Sequence, residues 1–384
     1  MIRNRKIKKI LEITLFQIFS WINKIIPKEE KKVLLYCNME FRDNIRYLCD
    51  YLIEKEYNKE YQIVLSAKGE CPSYSSNVKC ISNAKAILCF FRAGHVIYSF
   101  GKLPIYPSKK QIVIQTWHGT PFKGFDETMK KNGGKKDYYT YVLASSEFIR
   151  PIVAKLFSCQ EGSVAICGQP RTDVMFETRN QYHLGVKGHK IILWTPTFRQ
   201  SKVLGYNDTE GKGTLVPLFD IIQLTELEQQ LSDLDIALII KLHPSQDLDD
   251  YQDVKFKHIR LLTHDQFRKE NYDLYRLLPQ TDALITDYSS IFFDYMLLNK
   301  PIAFTMNDYD DYSSHRGFAV DDPLSLMAGH KIKNYDDFIC FIKDVSYGND
   351  PYREQRQEIN RKINFYQDAK NRERALELAG IKHV

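Results

Sequence analysis

The residues best suited to chemistry lie directly after predicted strands. His118 follows the apolar run 111–115, within the segment Trp117-His118-Gly119-Thr120-Pro121. A histidine of near-neutral pKa can accept a proton from an attacking hydroxyl, and a positioned base of this kind contributes about 100- to 10,000-fold to the rate. The glycine, the two flanking threonines and the strand-end location favour a general base over an isolated loop histidine.

Two strand ends in the second half of the chain also carry polar groups. The run 191–195 leads into Pro196-Thr197-Phe198-Arg199, and the run 236–242 leads into Lys241-Leu242-His243-Pro244. Arg199, Lys241 and His243 have the charge to neutralise phosphate oxygens. Considered alone, Lys241 fits a solvated charge equally well, and His243 fits a hydrogen-bonded residue at the edge of the core.

A helix terminus suited to phosphate binding is predicted where the run 283–286 passes into Asp287-Tyr288-Ser289-Ser290 and a helix that contains Asp294. Free backbone N–H groups and the helix dipole attract anions at such a terminus, and serine hydroxyls add donors. A serine there can also be a simple N-cap, which is compatible with phosphate docking. In the first half, Arg171 lies just beyond the last strand, where a guanidinium is suited to clamp a diphosphate.

Alternating strands and helices must position these segments. Short apolar runs predict strands at 33–37, 61–66, 95–100, 111–115, 141–144, 164–167, 191–195, 236–242, 259–262, 283–286 and 302–305. Helical patterns occupy 42–54, 83–92 and 147–157, and residues 334–379 are also helical in pattern. This order predicts an α/β protein with two Rossmann-like domains, and a cleft between them is the expected place for chemistry.

Charge and cysteine content narrow the class of protein. The formal net charge is +6, and residues 1–32 contain nine Lys or Arg against three Glu, so the rest of the chain is formally neutral. That distribution argues against nucleic acid as a partner. The eight cysteines are scattered without a CxxC pair, which is typical of reduced thiols rather than of a disulfide framework or a metal site.

The amino-terminal segment predicts an amphipathic helix, with apolar residues at helical spacing from Ile7 to Ile26. Lys8, Lys9, Glu12 and Lys24 interrupt it, so a spanning helix is not expected, and no small-residue cleavage site follows it. Two interpretations remain: an in-plane anchor whose basic residues meet anionic lipid, and a helix that packs on the protein's own core.

In these segments the chain resembles the CDP-glycerol glycerophosphotransferase family of teichoic acid and capsule synthesis, which has a GT-B fold. The resemblance covers residues 111–318. Its ordered matches are Trp117 to Pro121, Gly168 to Asp173, Pro196 to Arg199, Lys241 to Pro244, Thr286 to Ser290 with Asp294, Lys300-Pro301, and Arg316-Gly317-Phe318. Phe122 departs from the family pattern, where an aliphatic residue is common, and so does Ala319-Val320, where aromatic or acidic residues are usual.

The resemblance implies that His118 is the general base and that His243 assists near the diphosphate. The implied reaction is attack by an acceptor hydroxyl on the β-phosphorus of CDP-glycerol, with CMP leaving. Because basic side chains and the helix terminus at Ser289 could offset the charge on CMP, we predict no obligatory metal or other cofactor. The residues implied to bind substrate are Trp117, Gly119, Thr120, Pro121, Arg171, Pro196, Thr197, Lys241, Leu242, Ser289, Ser290 and Asp294. The implied partners are CDP-glycerol and a lipid-linked or polymer acceptor, and the amino-terminal segment adds an anionic membrane surface as an expected partner.

Three alternatives stay open at this point: a CDP-ribitol donor, a nucleotide-sugar glycosyltransferase, and a catalytically silent protein that binds nucleotide or polymer. The expected domains are a membrane-associating helix at 1–27, an acceptor domain at 28–180 and a CDP-donor-binding domain with carboxyl-terminal helices at 181–384. The expected location is peripheral, on the cytoplasmic face of the cell membrane. The sequence leaves the oligomeric state open.

Overall fold

The computed structural model describes residues 5–69, 72, 74, 77–124, 138–177, 181–196, 200–201, 206–207, 221–242 and 256–382. They form two compact units. The first comprises Met1–Gly119, Asn132–Asp173 and Asp368–Val384, and the second comprises Thr120–Lys131 and Val174–Gln367. The predicted domain boundary at residues 180 and 181 stays a prediction.

The strands are mostly short, as the apolar runs predict. In chain order they are β1 (Glu29–Glu40), β2 (Gln62–Lys68), β3 (Val78–Ile81), β4 (Ala93–Tyr98), β5 (Ile112–Gln115), β6 (Tyr141–Ala144), β7 (Val164–Ile166), β8 (Lys190–Trp194), β9 (Gln200–Ser201), β10 (Tyr206–Asn207), β11 (Ile236–Lys241), β12 (Ile259–Leu262), β13 (Ala283–Thr286), β14 (Ile302–Thr305) and β15 (His330–Ile332). Every predicted strand is present.

The helices fall between the strands and after the last one. They are α1 (Arg5–Ile25), α2 (Asp43–Glu54), α3 (Asn83–Arg92), α4 (Arg150–Phe157), α5 (Ile221–Asp233), α6 (His264–Lys269), α7 (Leu274–Leu277), α8 (Ile291–Tyr295), α9 (Tyr309–His315), α10 (Tyr335–Tyr347), α11 (Arg353–Ile363) and α12 (Asn371–Leu378). Short 3-10 helices include Tyr57–Lys59, Glu161–Ser163, Pro170–Phe176, Leu278–Gln280, Met296–Leu298 and Leu324–Leu326.

The first unit contains a seven-stranded parallel sheet in the order β3-β2-β1-β4-β5-β6-β7. Leu35, Ile97 and Ile114 belong to its core and pack with Leu48 of α2. The strand order reverses between β1 and β4. Doubly wound sheets bind ligands at such a reversal, outside the carboxyl ends of the strands.

The last helix completes the core of this first unit. Ala375 and Leu376 of α12 are buried in the same cluster as the strand residues. The Asp173 carboxylate accepts hydrogen bonds from the backbone N–H groups of Asn371 at 2.9 Å and Arg372 at 2.7 Å, so it caps the start of α12. Phe338 and Phe341 of α10, in contrast, lie in the core of the second unit. The helices of the carboxyl end therefore belong to two different units.

The second unit contains a six-stranded parallel sheet in the order β12-β11-β8-β13-β14-β15. Its core joins Ile192, Leu238 and Ile285 of the sheet to Leu227 of α5. Here the order reverses between β8 and β13. The loops after these two strands, and after β11 beside them, are therefore placed where a ligand is expected.

The amino-terminal helix α1 contacts the first unit through polar side chains. Asn23 is fully buried and donates to the Tyr106 carbonyl at 2.9 Å and to the Gln111 side chain at 3.0 Å. Ser20 is also buried, and its hydroxyl accepts from the Tyr106 N–H at 3.0 Å. Among the described residues, no helix has the length and apolar character needed to cross a membrane.

Between Leu15 and Ile25, α1 exposes four large apolar side chains, which is unusual for a surface helix. Leu15, Ile18, Trp21 and Ile25 are 46%, 50%, 65% and 64% exposed. They recur at spacings of three and four residues, so they form one stripe. A stripe of large exposed apolar side chains marks a surface that binds a partner or a membrane.

Candidate active site

The predicted base lies in a turn that the neighbouring strands hold in place. His118 follows β5. The residue before it, Trp117, has φ 58°, in the left-handed region of the backbone that residues other than glycine rarely adopt. The Trp117 carbonyl accepts hydrogen bonds from the Ser99 hydroxyl at 3.1 Å and from the Asn44 side chain at 3.0 Å. These contacts offset the strain of the turn and fix the direction in which His118 leaves it.

The His118 ring is packed between aromatic side chains. It stacks on Phe100 with 4.3 Å between ring centroids and 5° between planes, and the Trp117 ring lies 3.7 Å away. The residue keeps some exposed surface, but its Nδ1 atom is buried and takes no partner among the described residues. Removal from water, opposed by the nearby Asp43 carboxylate, lowers the His118 pKa to about 4. The ring is therefore neutral at pH 7, the form that accepts a proton.

Arg171 stabilises the same turn through hydrogen bonds of its guanidinium group. It is 4% exposed, and its Nη1 atom donates to the His118 carbonyl at 2.8 Å and to both Asp43 carboxylate oxygens at 2.9 Å. The Arg171 N–H also donates to the Asn44 side chain at 3.0 Å. Among the described residues, Arg171 thus helps to position the turn that carries the predicted base. Its predicted contact with a diphosphate stays a prediction.

Asp43 and Asn44 were not among the residues predicted to form the site. They begin α2, just beyond the carboxyl end of β1, and Asp43 has φ 60°. The rule that identified His118, polar residues directly after a strand, applies to Arg42-Asp43-Asn44 as well. What the sequence did not provide is the strand order, which puts β1 beside β4 and β4 beside β5.

The predicted motif around His118 continues into the second unit, which begins at Thr120. Gly119 is buried with φ 136°, Thr120 is 2% exposed and Pro121 is partly exposed. Phe122 then packs in an aromatic cluster with Phe292 and Phe318, each with 5.1 Å between ring centroids. The Phe122 carbonyl accepts from the Ala319 N–H at 2.8 Å, so the two departures from the family pattern contact each other.

In the second unit, predicted donor-binding residues lie on both sides of the sheet reversal. Pro196 is buried just after β8. Lys241 ends β11, and its Nζ atom lies 5.3 Å from the Phe267 ring centroid, while Leu242 is fully buried. Thr197, Arg199 and His243 lie outside the described residues.

The predicted anion-binding turn follows β13. Ser290 precedes the short helix α8, and its side chain forms no capping hydrogen bond. The Ser289 N–H donates to the Asp287 carboxylate at 3.0 Å. Among the described residues, neither serine hydroxyl takes a hydrogen-bond partner. Asp294 is 1% exposed and accepts from the Tyr275 hydroxyl at 2.7 Å, and its predicted contact with the donor stays a prediction.

No group of three or more His, Cys, Asp or Glu side chains in the described part of the chain has an arrangement that could hold a metal ion. The absence of an obligatory metal or other cofactor stays a prediction. The chemistry available from the described residues is proton acceptance by His118 in the first unit and oxyanion binding by Lys241, Ser289 and Ser290 in the second.

Comparison with solved structures defines the class of fold. The wall teichoic acid polymerase TagF, in an H444N variant soaked with CDPG, superposes with a TM-score of 0.72 at 21% identity, over 98% of this chain and 95% of that one. A putative UDP-N-acetylglucosamine 2-epimerase from Listeria monocytogenes gives 0.52 at 11% identity, over 91% and 96%. Both likenesses concern the fold, an α/β architecture of the GT-B type, which confirms the predicted fold class.

The sequence comparison then gives the family. The model of the CDP-glycerol:poly(glycerophosphate) glycerophosphotransferases matches residues 18–379, and the chain belongs to this family of transferases. A teichoic acid poly(ribitol-phosphate) polymerase of Bacillus spizizenii is 28% identical over 90% of this chain and 56% of its own length. A teichoic acid glycerol-phosphate transferase of Staphylococcus aureus is 27% identical over 97% of this chain and 98% of its own. The chain thus spans about half of the first relative and nearly all of the second.

Proposed function

We propose that this protein transfers glycerol phosphate from CDP-glycerol to a hydroxyl group of a membrane-associated acceptor in teichoic acid or capsular polymer synthesis, and releases CMP. The observation that carries the proposal is His118, a neutral histidine fixed at a strand end in a member of this family. The family description includes the donor, and the glycerol-phosphate transferase of Staphylococcus aureus matches nearly end to end.

In the proposed reaction the acceptor oxygen attacks the β-phosphorus of CDP-glycerol. A new phosphorus–oxygen bond forms, the bond between the two phosphates breaks, and CMP departs with the bonding electron pair. His118 takes the proton of the acceptor hydroxyl. Phosphoryl transfer depends mainly on positioning and on charge stabilisation, which we assign to Lys241, Ser289 and Ser290, together with the predicted residues Thr197 and His243.

CDP-ribitol is the second candidate donor. It is favoured by the ribitol-phosphate polymerase of Bacillus spizizenii, whose 28% identity stands beside the 27% of the glycerol-phosphate transferase. The two donors share the cytidine and the diphosphate, so the residues around β8, β11 and β13 suit both. The two donors differ only in the polyol, glycerol or ribitol. A parallel assay with both substrates shows which one the enzyme uses.

The test is release of CMP from CDP-glycerol and, in parallel, from CDP-ribitol, each with a lipid-linked acceptor and without one. We expect acceptor-dependent release from CDP-glycerol and its loss in His118→Ala. His183→Ala is the matched control, because His183 is exposed and should keep wild-type turnover. Near wild-type activity in His118→Ala would refute the assignment of His118 as the base. Release of CMP from CDP-ribitol alone would refute CDP-glycerol as the donor.

We further assign the apolar stripe of α1 to the membrane interface. The stripe (Leu15, Ile18, Trp21 and Ile25) faces outward, while Ser20 and Asn23 attach the helix to the first unit. Phe19 adds a ring contact with Phe91 to these polar attachments. A helix that is attached on one side and exposes large apolar side chains on the other suits in-plane binding at a lipid surface. This location would bring the enzyme to an acceptor that is itself in the membrane.

The membrane assignment is tested by sedimentation with vesicles of equal parts phosphatidylcholine and phosphatidylglycerol. Trp21→Glu places a charge in the stripe, and we expect binding to be lost. Leu88→Glu is the control, since Leu88 is 69% exposed on α3 and lies outside the stripe. Equal binding by wild type and Trp21→Glu would refute the assignment.

A further inference from the structure

A cavity of about 360 Å³ opens in the first unit where α1 ends. Lys24 and Lys28 line it from the end of α1 and the residues that follow, and Lys109 and Lys110 line it from the turn before β5. Ser108 lies in the same wall. Of the residues that the structure describes, no carboxylate lines the cavity, so the charged groups of its wall are all positive.

The lysines of this cavity have no carboxylate partner in the part of the chain that the structure describes. Within the described residues, none of the four forms an ion pair. The Lys28 ammonium donates instead to neutral oxygens, the carbonyl of Asn23 at 2.8 Å, its side-chain oxygen at 2.8 Å and the carbonyl of Phe91 at 2.6 Å. Burial lowers the Lys28 pKa to about 8, as expected when an ammonium loses water without gaining an anion. A bound anion would stabilise all four charges.

Ser108 provides a second and independent indication of a ligand. The residue is only 9% exposed, and its buried hydroxyl has no hydrogen-bond partner among the described residues. A buried hydroxyl without a partner is destabilising, because it has lost its hydrogen bonds to water. Its backbone is fixed, because the Ser108 carbonyl accepts from the Gln111 N–H at 3.1 Å. Ser108 lines the same cavity as the four lysines, so an unpaired hydroxyl lies in a residue of its wall.

We propose that this cavity binds the phosphate group of an acidic phospholipid headgroup. A phosphodiester provides the negative charge that the wall of the cavity lacks and an acceptor oxygen for the Ser108 hydroxyl. The lipid source is favoured by position: the exposed residues Trp21 and Ile25 lie on the same helix, beside Lys24, Ile26 and Lys28 of the cavity in sequence. The proposal rests on the membrane assignment above and adds to it a specific headgroup site.

The site separates two kinds of attraction to a membrane. Scattered basic residues attract any anionic surface, and each lysine near the surface adds to this attraction. A cavity with a buried hydroxyl donor selects a phosphate that can enter it. Loss of the Ser108 hydroxyl removes no charge. Its effect on vesicle binding therefore measures binding in the cavity rather than the general electrostatic attraction to the membrane.

The experiment measures binding of the full-length protein to vesicles of phosphatidylcholine alone and of equal parts phosphatidylcholine and phosphatidylglycerol. We expect Lys109→Gln with Lys110→Gln to weaken binding to the acidic vesicles about tenfold or more. Ser108→Ala should weaken it about threefold or more, at unchanged charge. The control pair Lys79→Gln with Lys85→Gln removes two exposed charges of the same unit and should have a smaller effect.

The outcomes distinguish this site from the membrane assignment. If Trp21→Glu abolishes vesicle binding while Ser108→Ala and the Lys109, Lys110 double variant bind like wild type, the headgroup site is refuted and the membrane assignment stands. If wild type binds no vesicles, both are refuted. Calorimetric titration with short-chain phosphatidylglycerol and with inorganic phosphate identifies the source. Binding of the lipid alone supports the proposal, and equal affinity for inorganic phosphate refutes the lipid source.

Discussion

The Nη1 atom of Arg171 lies 2.8 Å from the carbonyl oxygen of His118, so a residue predicted to hold phosphate also holds the predicted base. The same atom contacts both oxygens of Asp43 at 2.9 Å. One guanidinium therefore connects the start of α2 to the turn after β5. The position of the base depends on this connection.

Replacement of Arg171 by lysine tests its role. Arg171→Lys keeps the positive charge, but a single ammonium on a flexible stem cannot reproduce the planar contacts to Asp43 and to the His118 carbonyl. We expect kcat to fall about tenfold or more, because the base loses its position. Steady-state kinetics should show this with Arg150→Lys as the control, since Arg150 pairs with the exposed Glu147. An unchanged kcat with a raised KM would instead indicate a phosphate-binding point charge.

The pH dependence of kcat/KM follows from the environment of His118. A base acts when neutral, and it is neutral above its pKa. Because burial lowers the His118 pKa to about 4, kcat/KM should stay level as the pH falls from 7 and should decline only as it approaches 4. An ordinary histidine would give a decline near pH 6.5. The profile should be measured alongside circular dichroism, and a midpoint near 6.5 in folded protein would contradict the assigned environment.

Gly168→Ala should destabilise the first unit. Gly168 has φ +81°, and a Cβ atom there would lie 2.5 Å from the side-chain oxygen of Asn371 at the start of α12. We expect the free energy of unfolding to fall by about 2 kcal/mol or more. Gly162→Ala is the matched control, because nothing lies within 4 Å of its Cβ position. Urea denaturation measures both variants, and equal midpoints would contradict the crowding at Gly168.

Phe122 tests how a departure from the family pattern is accommodated. The side chain is 2% exposed and packs on Phe292 and Phe318. Phe122→Ala should lower the stability of the second unit by about 3–5 kcal/mol, whereas Phe122→Leu retains most of the volume and should cost about 1.5 kcal/mol or less. Phe365→Ala is the control, since Phe365 is 60% exposed. Thermal unfolding measures the stability of all three variants. Similar losses of stability in Phe122→Ala and Phe122→Leu would show that the volume of the side chain is not the cause.

Much of the fold is predictable because parallel strands are buried on both faces and so appear as uninterrupted apolar runs. The strands 141–144, 259–262, 283–286 and 302–305 agree residue for residue with the structure. The strands that were not predicted lack such a run. Val78–Ile81 is an edge strand with two exposed residues, and His330–Ile332 carries two polar residues in three.

The candidate site was less predictable than the fold. His118, Ser289 and Ser290 could be found because each follows a clear strand. Asp43 could not be assigned to the site, because its contact with Arg171 joins positions 128 residues apart and depends on the strand order. Local sequence pattern indicates which segments are strands, but the neighbours of each strand are set by packing of the whole sheet.

The division of the first unit has a consequence for its synthesis. Asp173 and Asn371, which join α12 to the sheet, are 198 positions apart. At typical elongation rates of about 5–20 residues per second, the ribosome needs roughly 10–40 s to make the intervening chain. During that time the seven strands have already emerged without Ala375 and Leu376 of their core. The unit that is translated first is therefore the one completed last.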